Sequence, residues 1–113
     1  MFTTKKQIIN FYKEKLRTNK SWVIKGLSVI YNYQLEVEQE SKDAKFHNGV
    51  GFSALDAEIL SSFHEQYEKK KNLSEKQFAT LFKLMPKYAG QLVNHSMAIG
   101  KLRKEGREYI FAK

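Results

Sequence analysis

The clearest local signal in this chain of 113 residues is the stretch Leu73-Ser74-Glu75-Lys76-Gln77-Phe78. Ser74 and Gln77 have the spacing of a capping box, in which the side chain of each residue accepts a hydrogen bond from the backbone N–H of the other. Leu73 precedes the cap and can pack against Phe78 as a hydrophobic staple. The stretch therefore predicts a helix that begins after Ser74, the fourth of the chain.

A proline interrupts the helical pattern that follows. Apolar residues at helical spacing continue as far as Met85, but Pro86 cannot continue a helix and suits the first turn of the next one. The inner face of this fifth helix is expected to carry Tyr88, Ala89, Leu92 and Val93. The pattern predicts two short helices joined at the proline.

Two helices are expected at the start of the chain. Thr4 and Gln7 form a second capping box, which predicts a basic amphipathic helix ending near Thr18-Asn19. Ser21 is expected to cap a second helix that continues through Glu40. Its β-branched residues leave a strand as a competitor, but the length of the run favours a helix.

A glycine-rich segment, Asn48-Gly49-Val50-Gly51-Phe52, precedes the third helix. Ser53 and Asp56 form a variant capping box for this helix, which is predicted to run to about Lys69. Its inward residues are expected to be Leu55, Ile59, Leu60, Phe63 and Tyr67. The glycines form either a tight turn that inserts Phe52 into the core or a nest of backbone N–H groups for an anion. The carboxylate of Asp56 argues against anion binding, because it would compete with a bound phosphate.

The pattern changes in residues 98–113. Two short alternating runs flank Glu105-Gly106, which is typical of a β-hairpin, while continuation of helix five to Glu105 is the alternative. The chain is therefore expected to be a single, mainly α domain, a compact bundle of about five helices. Residues 1–20 would be the basic amphipathic helix, 21–97 the helical core, and 98–113 a basic tail or hairpin.

Composition excludes several classes of protein. The absence of cysteine excludes a disulfide framework, a thiolate zinc site and a cysteine nucleophile. No apolar run is long enough to cross a bilayer, and residues 1–20 are too charged for a signal peptide. His47, His64 and His95 lack the spacing of a helical metal pair. We expect a cytoplasmic, non-enzymatic protein with no catalytic residue, metal site, cofactor, small-molecule substrate or membrane partner.

The net charge of +8 is concentrated at the two ends. Residues 1–20 carry six basic and one acidic side chain, and residues 69–113 carry eleven basic and three acidic ones. Residues 46–68 carry four acidic side chains and no basic one. Positive charge concentrated in this way attracts polyanions, chiefly nucleic acid, through counterion release. A lysine-rich surface that only keeps the protein in solution is the alternative.

The C-terminal third provides the candidate binding residues. Helices four and five could form a helix-turn-helix, with the basic hairpin as its wing. The residues expected to face a groove are Lys83, Lys87, Gln91 and Asn94, because Gln and Asn can read adenine edges. The residues expected to contact phosphates are Lys101, Arg103, Lys104 and Arg107. Trp22 and the tyrosines could stack on bases, although most are expected to be core or core-rim residues.

Four motifs occur in a fixed order along the chain. They are Asn48-Gly49-Val50-Gly51-Phe52, Asp56-Ala57, Leu73-Ser74-x-Lys76-Gln77 and Lys87-Tyr88-Ala89-Gly90-Gln91-Leu92. This set resembles a small domain of phages and mobile elements, found alone or appended to helicase-like replication and repair proteins. The resemblance covers about residues 20–93, and Trp22 and Gln34 also match it. It implies a role in nucleic-acid metabolism and assigns no catalytic residue.

Two functions are consistent with these patterns. The first is a small basic phage or mobile-element protein that binds nucleic acid or a nucleoprotein complex through positive surfaces near its termini. The alternative is a phage-encoded inhibitor of a host defence complex, of the anti-CRISPR type, acting by protein–protein or protein–RNA binding. A phage-encoded protein of either kind would work in the host cytoplasm.

Overall fold

The computed structural model describes residues 2–40 and 51–111. In the described residues the elements are α1 (Lys5–Thr18), α2 (Lys20–Glu40), α3 (Ala57–Lys70), α4 (Glu75–Leu84), a 3-10 turn (Met85–Tyr88), α5 (Ala89–Ala98), β1 (Leu102–Glu105) and β2 (Glu108–Phe111). The predicted mainly α fold is confirmed. The C-terminal pattern forms the hairpin rather than a continuation of α5.

Both predicted capping boxes are present. The Ser74 hydroxyl accepts from the Gln77 backbone N–H at 3.1 Å, and the Gln77 side chain accepts from the Ser74 backbone N–H at 2.8 Å. The Thr4 hydroxyl likewise accepts from the Gln7 N–H, at 3.2 Å. Both hydrogen bonds of such a box are local, so the residue types and their spacing predict it without the rest of the fold.

The prediction that Ser21 caps α2 is wrong, because Asn19 has that role. The Asn19 side-chain oxygen accepts from the backbone N–H of Trp22 at 3.1 Å. Its own backbone N–H closes α1 by donating to the Lys15 carbonyl at 2.9 Å. Asn is as good an N-cap as Ser. A single residue therefore ends one helix and begins the next.

The predicted start of α3 at Ser53 is also wrong. Residues 53–56 form a turn, in which the Asp56 backbone N–H donates to the Ser53 carbonyl at 3.0 Å, and the helix begins at Ala57. Leu55, expected on the inner face, is 93 % exposed. In this turn the Ser53 backbone N–H donates to the Tyr88 hydroxyl, which donates to Asp56 Oδ2, and the Asp56 side chain caps no helix.

The core lies between α1 and the other elements. α1 packs against α2, α4, the 3-10 turn and α5, and α3 packs against α2. The largest fully buried side chains are Ile8, Leu16, Leu27, Ile30, Leu60, Leu81, Met85 and Leu102. The inner residues predicted for α5, Leu92 and Val93, are buried with them. The arrangement leaves the hairpin at one end, beside α1 and α5.

The hairpin pairs β1 with β2 in antiparallel register, from Leu102 opposite Phe111 to Glu105 opposite Glu108. Gly106 begins its two-residue loop with a φ of 61°, a left-handed value that favours glycine. Within residues 2–40 and 51–111, none of the helices combines the length and apolar character needed to span a membrane.

Candidate nucleic-acid interface

The two basic ends of the chain meet in space. The backbone N–H of Tyr109 in β2 donates to the carbonyl oxygen of Phe2 at 2.7 Å, so the N-terminus pairs with the hairpin. The Phe2 ring lies 5.1 Å from that of Phe11 in α1 and 6.5 Å from that of Phe111 in β2. The start of α1 and the hairpin, both rich in lysine or arginine, therefore form one continuous part of the structure.

Most of the predicted phosphate-binding cations are exposed and unpaired. Of these, Lys101, Lys104 and Arg107 are exposed and form no ion pair with any described acidic residue, and the same is true of Lys83, which was predicted to face a groove. Arg103 lies 3.6 Å from the Glu105 carboxylate, and both side chains are more than half exposed. An exposed pair of this kind is weak and exchanges readily with other partners. The hairpin thus presents positive charge to solvent.

Lys87 is held by a buried carboxylate. Its ammonium lies 2.5 Å from Asp56 Oδ2, which also accepts from the Tyr88 hydroxyl at 2.7 Å. Burial on its own raises the pKa of Asp56, but the hydrogen bonds from Lys87 and Tyr88 and the Lys87 charge outweigh it and bring the pKa below its usual value. The hydrogen bond to Asp56 in turn raises the pKa of Lys87.

Gln91, one of the two residues predicted to read base edges, binds the backbone of Gly51. Its side-chain oxygen accepts from the Gly51 N–H at 2.9 Å, and its amide donates to the Gly51 carbonyl at 3.1 Å. Phe52 is inserted into the core, with its ring 5.9 Å from that of Tyr88. The N–H of Gly51 is therefore engaged, and residues 48–50 of the glycine motif lie outside the described residues.

These contacts divide the four residues predicted to face a groove. Lys87 and Gln91 are directed to the segment of residues 51–56, whereas the side chains of Lys83 and Asn94 are exposed and form no hydrogen bond with the described residues. The start of α5 is thus partly covered by its own chain. Three of the resemblance motifs meet here, because Gly51, Asp56 and residues 87–92 belong to different ones.

A cavity of about 460 Å³ opens at the junction of α1, α2, α5 and the hairpin. We refer to it as the junction cavity, and its lining includes Trp22, Lys25, His95, Ser96, Lys101 and Phe111. None of the described residues that line it is acidic. Lys25 and Lys101 form no ion pair with a described acidic residue. The cavity therefore combines uncompensated positive charge with aromatic walls.

Hydrogen bonds fix the polar groups of the junction cavity. The Tyr12 hydroxyl donates to Ser96 Oγ at 2.8 Å, and burial raises the pKa of Tyr12 despite this hydrogen bond. The Tyr33 hydroxyl and His95 Nδ1 lie 2.7 Å apart. Ser96 keeps its own hydroxyl proton to donate, and His95 keeps Nε2 without a described partner.

Sequence reasoning identified only part of this site. Lys101 was a predicted phosphate ligand, and Trp22 was a candidate for stacking. Lys25 and His95 were missed, because their position depends on how α2 packs beside α5. One local signal was available, since Trp22 and Lys25 lie three residues apart on α2 and such pairs share a helix face.

The histidines take separate positions. His64 is buried with its ring 4.0 Å from that of Tyr31, and His47 lies outside the described residues. Among residues 2–40 and 51–111, no three His, Asp or Glu side chains come together as metal ligands would.

The junction of the termini thus brings aromatic side chains together with lysines that have no ion-pair partner among the described residues. Its components come from α1, α2, α5 and the hairpin, which are distant in the chain. Comparison of the chain with protein-family models, with curated proteins and with solved structures found no significant match.

Proposed function

We propose that this protein binds nucleic acid, alone or within a nucleoprotein complex, through the basic surface at the junction of its termini. The observation that carries the proposal is the junction cavity, where Lys25 and Lys101 stand without a described carboxylate nearby. A nucleic acid carries condensed counterions, and lysines without an ion-pair partner that bind its phosphates release them, which favours binding.

The surroundings of the cavity support the same function. Lys5 and Lys6 at the start of α1 are exposed, as are Lys104 and Arg107 of the hairpin, and none has an ion-pair partner among the described residues. The contact between Phe2 and Tyr109 holds these two groups on neighbouring elements. A long polyanion can therefore contact cations from both ends of the chain at once.

The test is a fluorescence-anisotropy titration of a labelled oligonucleotide at increasing salt. Binding should weaken with salt, with a log–log slope of about 0.7–0.9 per phosphate contact. The triple variant Lys101→Ala, Arg103→Ala, Lys104→Ala should bind more weakly and reduce that slope by roughly 2–3.

A matched control removes the same charge elsewhere. Lys69, Lys70 and Lys76 are exposed, lie outside the junction cavity and have no ion-pair partner among the described residues. Changing these three to alanine should leave most of the affinity intact. Absence of binding at low salt, or equal losses in both triple variants, would refute the proposed function.

The alternative, an inhibitor of a host defence complex, gives a different result in a second assay. Such a protein would retain a host protein partner from a lysate treated with nuclease. A nucleic-acid-binding protein would lose its partners after the same treatment. Retention of a defined protein complex, together with no binding to naked oligonucleotide, would favour the inhibitor.

A further inference from the structure

The lining of the junction cavity specifies the chemistry of its ligand. Lys25 and Lys101 supply positive charge, and no described residue of the lining supplies a negative one. The volume of about 460 Å³ is within the range of roughly 300–1,000 Å³ typical of small-ligand pockets. The cavity therefore suits a compact ligand, or part of a larger one, that carries negative charge.

Aromatic side chains form the walls beside these lysines. Trp22 is partly buried, Phe111 is 40 % exposed at the rim, and Tyr12 lies beneath them. The Trp22 and Tyr12 rings meet edge to face at 5.0 Å, which fixes the Trp22 ring in place. Aromatic faces fixed next to cations bind nucleobases by stacking while the cations hold the adjoining phosphate.

The polar groups of the cavity complete this chemistry. Ser96 can donate its hydroxyl proton, because its oxygen already accepts from Tyr12. His95 presents Nε2, since its Nδ1 is bonded to Tyr33. Groups of this kind can pair with the Watson–Crick edge of a base, which is accessible only when the base is unpaired.

We propose that the junction cavity receives one unstacked nucleobase of a single-stranded nucleic acid, with Lys25 and Lys101 holding the phosphate beside it. This inference rests on the proposed function and adds to it the kind of nucleic acid and the place where a base is held. Duplexes bind only through the surrounding cations, and they bind more weakly than single strands of the same sequence.

Trp22 provides the direct test, because it is the only tryptophan of the chain. A short oligothymidine should quench the fluorescence of Trp22 as its base stacks. An oligonucleotide of the same length with abasic sites throughout carries the same phosphates without bases. It should bind more weakly and leave the Trp22 emission unchanged.

Two variants of Phe111 test the wall of the cavity. Phe111→Ala should weaken binding of the oligothymidine by about tenfold or more, as expected for the loss of one base–aromatic stack, and should weaken binding of the abasic strand far less. Phe111→Tyr keeps the ring and should retain the affinity. The wild-type fluorescence titration decides the question even if Phe111→Ala does not fold.

The outcomes separate this inference from the proposed function. Equal binding of the abasic strand, with no change in Trp22 emission, would overturn the base pocket and leave phosphate binding in place. Failure of every oligonucleotide to bind would overturn both. Saturation by thymidine monophosphate at the same concentration as the oligothymidine would show a free nucleotide to be the ligand and would overturn the proposed single strand.

Discussion

Tyr109 donates its backbone N–H to the carbonyl oxygen of Phe2 across 2.7 Å, and this hydrogen bond joins the N-terminus to the last strand. It places the Phe2 ring against the rings of Phe11 and Phe111. The Phe11 and Phe111 rings lie 5.8 Å from each other. Because Phe111 also lines the junction cavity, the position of that wall depends on how firmly the two ends are held together.

Replacing Phe2 with alanine should destabilise the protein. The ring contacts with Phe11 and Phe111 are lost, but Phe2 is only partly buried, so we expect about 1–2 kcal/mol rather than the 3–5 kcal/mol of a fully buried ring. Urea unfolding followed by circular dichroism measures the change. Phe2→Leu should recover part of the loss, and an unchanged midpoint in Phe2→Ala would contradict this role.

Replacing Gln91 with alanine should lower the free energy of unfolding by about 1–3 kcal/mol. The N–H and the carbonyl of Gly51 would each lose the hydrogen bond that they form with the Gln91 side chain. Gly51 is buried, so water cannot readily replace them. Asn94→Ala, an exposed position on the same helix, is the control and should change the free energy of unfolding by less than about 0.5 kcal/mol. Similar values for the two variants would show that the Gly51 contact contributes little.

The ion pair of Asp56 predicts a loss of stability in acid. Although burial opposes it, the contacts with Lys87 and Tyr88 place the pKa of folded Asp56 below its unfolded value of about 3.9. The contribution is therefore complete above that value and is lost as the pH falls through the lower folded pKa. In Asp56→Asn this contribution should be absent at all pH values. Urea unfolding across a pH series measures the difference, and parallel curves for the two proteins would refute it.

The burial of His64 predicts a second loss of stability, which begins at a higher pH than the loss caused by Asp56. Burial lowers its pKa despite the nearby carboxylates of Glu68 and Glu65, and its Nδ1 has no hydrogen-bond partner among the described residues. The neutral ring stabilises the fold fully above the unfolded pKa of about 6.5, and this stability is lost as the pH falls through the lower folded pKa.

His64→Phe keeps a ring against Tyr31 and removes the titrating group. Its stability should stay level where that of the wild type declines, between about pH 6.5 and the acid range in which Asp56 titrates. Thermal unfolding at a series of pH values provides the comparison. A decline of the same size in the variant would assign the effect to another group.

Two glycines should respond to alanine in opposite directions. At Gly90, in the first turn of α5, an added Cβ meets no atom within 4 Å, so Gly90→Ala should stabilise by about 0.5–1 kcal/mol. At Gly106 the φ of 61° disfavours a side chain, so Gly106→Ala should destabilise by about 1 kcal/mol. Thermal unfolding of both variants tests this, and shifts in the same direction would contradict it.

Local signals were sufficient for most of the helices. The pairs Thr4 with Gln7 and Ser74 with Gln77 act within a single turn, so their effect can be predicted without knowing the rest of the fold. Pro86 interrupts its helix for an equally local reason, the missing backbone N–H. Ser53 misled the prediction because its partner, Tyr88, is distant in the chain and cannot be inferred from local spacing.

The candidate site depended on packing to a greater degree. The excess of positive charge at both ends was evident from composition, but the hydrogen bond between Phe2 and Tyr109 that joins those ends is a tertiary contact. Lys87 and Gln91 have the residue types of a base-reading helix, yet Asp56 and Gly51 engage them within the fold.

The amino-acid sequence by itself thus determined which segments are helical, where α1 and α4 begin and that the ends are cationic, because these properties depend on neighbours within a few residues. Only the tertiary structure decided which cations remain unpaired and that Lys25 and Lys101 share a cavity with Trp22 and Phe111. Contacts between distant segments arise from the way helix faces bury one another, and no local pattern encodes that geometry.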